Sequence, residues 1–266
     1  MEEYMEVQKS EKRGCMQANE DINPSKKIDE NSLVLASFRG YQKVLDSRHD
    51  KYERLVKYGR DVTIASKRII FLLQRAVGAG NLDKIFKEAD EKFLGVQELL
   101  KKIASELAGE DPFQFDRAFS PGVQEYIEAL SFCHYLRHRT LISFEEVKEM
   151  CAFSKEGGRD LEFNPFDYVL GIADLTGELM RLCINSAANG DRNTCFQVCN
   201  FLRQLHNTFL SLGNVYRDVS SKVRVMKASL SKVEAACYTL KVRGLEIPQF
   251  ALAEVLSSEI IDHLME

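Results

Sequence analysis

"RHDKYERLVKYGRDVTIASKRIIFLLQR", Arg48 to Arg75, carries apolar residues at Tyr52, Leu55, Val62, Ile69 and Leu72, spaced by threes and sevens with charged residues between them. That spacing is the period of an α-helix with one apolar stripe. Towards the N-terminus the stripe continues through Leu45, Tyr41, Phe38 and Val34, and Asn31 or Ser32 can cap the helix. Towards the C-terminus it reaches Val77 before "GAGN", Gly78 to Asn81, ends it. Such a helix runs about 45 residues, roughly 70 Å at 1.5 Å per residue.

The pattern continues outward. A second amphipathic stretch holds Leu82, Ile85, Phe86, Ala89, Phe93, Val96, Leu99, Leu100, Ile103 and Leu107. Ser120 followed by Pro121 reads as a cap and first-turn proline opening a third helix. Ser143 and Glu146 form an S-x-x-E capping box for a short one, and Asn164-Pro165 opens another. Further helices are predicted from Asp191 or Thr194 to Leu212, from Tyr216 to Val242 and from Pro248 to Leu264. No alternating strand interrupts them. The predicted fold class is all-α, a bundle of about seven helices including one very long N-terminal helix. Residues 32–266 would form a single domain behind a flexible polar tail at 1–31.

Composition narrows the function classes. With 266 residues, 45% of them hydrophobic, the chain can bury a substantial core. A formal net charge of -4 argues against a uniformly basic nucleic-acid binder, so a polyanion would need a local basic patch or one supplied by another subunit. The seven cysteines show no zinc-site spacing and read as reduced core thiols of an intracellular protein. No apolar run reaches the roughly 18 residues that span a bilayer, so no membrane is expected. Lys12-Arg13 and Lys26-Lys27 form a weak nuclear address.

Four acids stand out. "PGVQEYIEALSF", Pro121 to Phe132, places Glu125 and Glu128 three apart on one helical face. "PFDYVLGIADLTGELM", Pro165 to Met180, places Asp174 and Glu178 four apart on another. Like charges at that spacing repel, and both pairs sit among apolar neighbours. A cation is the simplest offset, either a side chain such as Arg137, Arg139 or Arg181 or a metal ion, and the plainer reading is an exposed polar stripe or structural salt bridges. Hard oxygen ligands without thiolate or imidazole point to Mg²⁺ or Mn²⁺ if a metal binds. His134 and His138 lie one turn apart, but Tyr135 stands where a zincin needs Glu, and neither a P-loop nor a Glu-x-x-His pair occurs.

Four blocks together carry a resemblance: Arg48–Arg75, "GVQEYIEALSF" at Gly122–Phe132, "GIADLTGELMRLCINSAANGD" at Gly171–Asp191 and "KVEAACYTLKVRGLEIP" at Lys232–Pro248. In this order they resemble the translin-associated factor X (Trax) side of the translin family, over nearly the whole chain beyond the tail. The resemblance implies a seven-helix α-fold and partnership with translin in a hollow hetero-octamer. It also implies a Mg²⁺-dependent endoribonuclease that removes the passenger strand of small interfering RNA and, in some organisms, processes transfer-RNA precursors. The family's acidic positions fall on Glu125, Glu128 and Asp174 as metal ligands, with Glu178 completing the catalytic set.

On that expectation Arg60, Lys67 and Arg68 of the long helix, with Arg75, and Arg137, His138 and Arg139 beyond the acids become candidates for holding RNA phosphates. The nucleic acid expected is single- or double-stranded RNA, extending to single-stranded DNA, and the location cytoplasmic and nuclear. No RRM motif or basic-aromatic platform is read among these residues. The competing expectation is a non-catalytic subunit that stabilises translin and shapes a nucleic-acid-binding shell.

Overall fold

A computed structural model describes residues 33–76, 82–154, 157–213 and 216–242. Among them are seven α-helices and no strand: α1 (Leu33–Gln74), α2 (Leu82–Glu106), α3 (Asp116–His138), α4 (Phe144–Met150), α5 (Pro165–Ala188), α6 (Arg192–Ser211) and α7 (Arg217–Val242). A single 3₁₀ turn at Pro112–Gln114 precedes α3. None of the described helices is long and apolar enough to cross a membrane. The N-terminal tail, Val77 and the "GAGN" stretch, and the helix expected at Pro248–Leu264 lie outside the described residues.

The chain divides into two units, the first ending at His49 and the second beginning at Asp50. In the first, the helical apolar residues Val34, Phe38, Tyr41 and Leu45 are exposed, and Phe38 meets Tyr41 edge-on, with ring centroids 6.1 Å apart. In the second, the period becomes a core. Leu55, Val62, Ile69, Leu72 and Leu73 of α1 are buried, together with Phe119, Tyr126, Ile127, Phe132 and Tyr135 of α3 and Ile172, Leu175 and Leu179 of α5. α5 is central, packing on α3, α6 and α7.

Local signals set most helix ends. The Ser143 hydroxyl accepts from the Glu146 N–H at 3.1 Å while the Glu146 carboxylate accepts from the Ser143 N–H at 2.7 Å, the reciprocal box expected from sequence. Asn164 Oδ1 accepts from the Phe166 N–H at 3.0 Å ahead of Pro165, and Asp191 caps α6 through the Thr194 N–H at 3.1 Å. The start of α3 is a correction. The helix begins at Asp116, not after Ser120, and Pro121 lies inside it. Ser120 does not cap because its hydroxyl donates to Asp167 of α5.

Two glycines bring the helices unusually close. A Cβ on Gly122 of α3 would lie 2.5 Å from the Gly59 carbonyl oxygen of α1, and one on Gly171 of α5 would lie 2.8 Å from the Gln124 carbonyl oxygen. Only a residue without a side chain permits such backbone contact. Gly122 precedes Glu125 by three residues, and Gly171 precedes Asp174 by three. The crossings that bring the helices together thus stand within one turn of the acids.

Candidate active site

The two pairs of acids, far apart in sequence, share one cleft. Glu125 and Glu128 of α3 and Asp174 and Glu178 of α5 line it with Lys67, Arg68, Ile70 and Phe71 of α1 and with Arg181, enclosing about 670 Å³. A second tie keeps α3 and α5 in register, since Gln124 Nε2 donates to Asp167 Oδ1 at 2.8 Å beside the Ser120 bond. The Asp167 carboxyl is buried, and burial raises its pKa against the pull of these two donors.

Each outer acid has its own cation. Lys67 Nζ stands 3.6 Å from Glu125, Arg181 donates to Glu178 Oε2 at 3.2 Å, and Lys222 of α7 donates to Asp174. Gln74 of α1 adds a neutral hold, its Nε2 donating to the Glu178 carbonyl at 3.0 Å and to Glu178 Oε2 at 2.7 Å. Both acceptors demand the nitrogen, which fixes the orientation of the amide. Glu128 has no ion pair among the described residues. It is only 9% exposed, and burial first, then the charges of Glu125, Asp174 and Glu178, push its pKa up to about 8 against the pull of Lys222. Burial likewise raises Glu125, opposed by Lys67 and reinforced by Asp174 and Glu178.

Carboxylate-only donors suit a hard divalent cation, and the residual repulsion at Glu128 is what such a cation relieves. Among the described residues, no three His, Cys, Asp or Glu side chains stand close enough together to hold a metal ion as they are. In this state the acids face lysine, arginine and amide donors.

The other expected residues separate into two groups. Lys67 and Arg68 reach the cleft, and Arg60 is exposed on the same helix, with neither Arg60 nor Arg68 in an ion pair among the described residues. Arg137 and His138 instead line another cavity, of about 310 Å³, with Asp90, Phe93 and Met150. Arg137 donates to Asp90 at 2.7 Å and lies over the Phe86 ring, while Arg139 lies over the Tyr135 ring. Of the three arginines considered as structural partners of the acids, Arg181 alone takes that role among the described residues. Lys222 and Gln74 carry no local sequence signal for theirs. Phe71, beside Lys67 and Arg68 in the cleft lining, is 73% exposed.

The described cysteines, Cys133, Cys151, Cys183, Cys195, Cys199 and Cys237, are free and buried, as core thiols should be.

Comparison with known proteins agrees with this architecture. The translin family pattern matches residues 50–244. Translin-associated protein X of Rattus norvegicus is 48% identical over 258 residues, covering 89% of this chain and 89% of its own length. Translin of Gallus gallus is 24% identical over 215 residues, covering 80% of this chain and 94% of its own. Among solved structures, AfC3PO in complex with duplex RNA shares the fold with a TM-score of 0.61 at 19% identity, over 79% of this chain and 100% of that one. On the family match and on identity that is far higher to its X branch than to translin itself, the chain belongs to the translin family.

Proposed function

We propose that this chain is the catalytic subunit of a translin-containing endoribonuclease that hydrolyses RNA phosphodiesters with Mg²⁺ or Mn²⁺. The observation that carries the proposal is the convergence of Glu125, Glu128, Asp174 and Glu178 from two helices on one cleft rimmed by Lys67, Arg68 and Arg181. Glu125, Glu128 and Asp174 would hold the metal, with Glu178, steadied by Gln74 and Arg181, completing the set. When bound, such an ion stabilises the negative charge that phosphodiester cleavage builds on the phosphoryl oxygens. Lys67 and Arg68 attract the RNA backbone to the acids and offset the repulsion between carboxylates and phosphate.

The name of the rat relative and the RNA-bound AfC3PO structure support translin as partner and RNA as substrate. The family resemblance extends the proposal to a hetero-octamer, to passenger-strand removal from small interfering RNA and transfer-RNA precursor processing, to single-stranded DNA binding, and to cytoplasmic and nuclear location.

One observation favours the non-catalytic reading, in which the acids serve assembly. Three of them are already paired with Lys67, Lys222 and Arg181. The two readings separate in one experiment on the complex with cognate translin, sized by light scattering and assayed on labelled RNA with and without Mg²⁺. Glu125→Gln, Glu128→Gln and Asp174→Asn should each assemble normally and lose about 100-fold or more in cleavage, beyond the roughly 10- to 100-fold typical of outer partners of metal sites. Variants that assemble and cut like wild type would leave the acids a structural role.

A further inference from the structure

Exposed residues along α1 form a mixed stripe. Arg60, Ile64, Lys67, Arg68 and Phe71 are all exposed, and at 3.6 residues per turn they fall within an arc of about 100° on the helix. Cations and apolar groups are interspersed in it, and the stripe ends at the acids, where Lys67, Arg68 and Phe71 all line the cleft. Phe71 is 73% exposed and has no ring partner among the described residues, whereas Phe93, Phe119 and Phe132 are buried. A lone exposed phenylalanine is unremarkable on an open surface. At the mouth of a cleft lined by four acids and three cations, its surroundings suit a charged ligand better than an apolar protein partner.

A nucleobase fits these surroundings. Its flat face gains by stacking on an aromatic ring while its phosphates stay with nearby lysine and arginine, the combination that proteins use to hold single-stranded nucleic acid. A base inside a duplex is already stacked on its neighbours, so such a ring selects unpaired nucleotides. We propose that Phe71 is a base-stacking platform at the mouth of the acid cleft, holding one unpaired base of a single-stranded RNA whose phosphates lie along Arg60, Lys67 and Arg68. The proposal rests on the ribonuclease reading and deepens it by assigning a base-contacting residue to the same cleft. It also makes recognition tolerant of base identity, since every base has a π-face.

The test uses the complex with cognate translin. Phe71→Ala should lower kcat/KM on single-stranded RNA about 5- to 150-fold, the range for loss of one base–aromatic stack, and Phe71→Tyr should restore it. Complex size should not change. The salt dependence of binding in EDTA should keep its slope in Phe71→Ala and shallow by about 0.7 in Arg68→Ala, as expected when one phosphate contact is lost. A single abasic nucleotide moved along the RNA should slow wild-type cutting at one fixed distance from the cleavage site and make no difference in Phe71→Ala.

Normal cleavage by Phe71→Ala, or an abasic effect that persists in that variant, would overturn the proposal. So would a changed complex size, which would make the ring a protein contact, or an equal loss on a blunt duplex. If wild-type complex neither binds nor cuts RNA, the ribonuclease reading itself fails and this inference falls with it.

Discussion

On one side of α3, Glu125 and Glu128 are set into a partly buried cleft against two more acids, and Glu128 holds its proton up to about pH 8. On the other side, Arg137 is answered by Asp90 at 2.7 Å and by the Phe86 ring, and His134 meets Thr140 Oγ1 at 3.0 Å. Both sides are rich in ionisable groups. The second matches them within its neighbourhood, so its pairs act as ordinary surface fastenings. The first leaves one carboxyl, Glu128, without a cation after Lys67, Lys222 and Arg181 have each taken an acid, and it keeps its proton instead. A buried carboxyl kept protonated by burial and by its neighbours' charges is the kind of perturbed group that functional sites gather.

The contrast can be broken most strongly at its support. In Gly122→Ala, the new methyl group would meet the Gly59 carbonyl oxygen at 2.5 Å. The helix-propensity gain of up to about 1 kcal/mol is outweighed by overpacking of about 1–3 kcal/mol. A clear fall in melting temperature is expected, with any cleavage lost as α1 and α3 part. A variant as stable as wild type would show that the crossing is not what positions the acids.

A smaller effect sharpens the electrostatic half of the comparison. An unfolded glutamate loses its proton near 4.5, whereas folded Glu128 keeps it to about 8. Between these values the folded chain binds a proton that the unfolded chain lacks, so this residue's contribution to stability falls as pH rises from 4.5 to 8 and levels off above. Glu128→Gln removes that loss. In melts from about pH 5 to 9 with EDTA, its advantage over wild type should widen with pH and then hold constant. A constant gap across the range would mean that the acids do not repel as described.

The smallest effect belongs to the matched side. Arg137→Ala breaks a partly exposed pair and should cost about 0.2–1 kcal/mol, with little change in cleavage. A large loss of RNA cleavage in that variant would move the functional surface to the wrong side of α3.

These sites differ in how far they could be read from sequence. The helices α1, α2 and α5 announced themselves because a buried stripe imposes a local period, and the spacing of Glu125 with Glu128 and of Asp174 with Glu178 follows from that period alone. That α3 and α5 lie side by side is a tertiary fact, and the family resemblance, not the spacing, brought the two pairs together beforehand. Lys222 lies 48 residues from Asp174 and Gln74 lies 104 from Glu178, so neither partner could be inferred from its neighbours. Phe71 sits between Ile70 and Leu72, both buried, and only the rotation of α1 decides that its ring faces out. The start of α3 misled because Ser-Pro usually marks a first turn, while here the serine is taken by Asp167.

The end of α3 has a practical consequence. Arg139 closes the helix at φ 60°, the sole described residue other than glycine in the left-handed region, with its N–H bonded to the Tyr135 carbonyl at 2.9 Å. A side chain there costs about 1 kcal/mol that glycine would not incur. For protein engineering, the molecule therefore carries an untapped reserve of thermal robustness at a position outside the acid cleft. Drawing on it gives up a guanidinium resting on the Tyr135 ring and its attraction to Asp191.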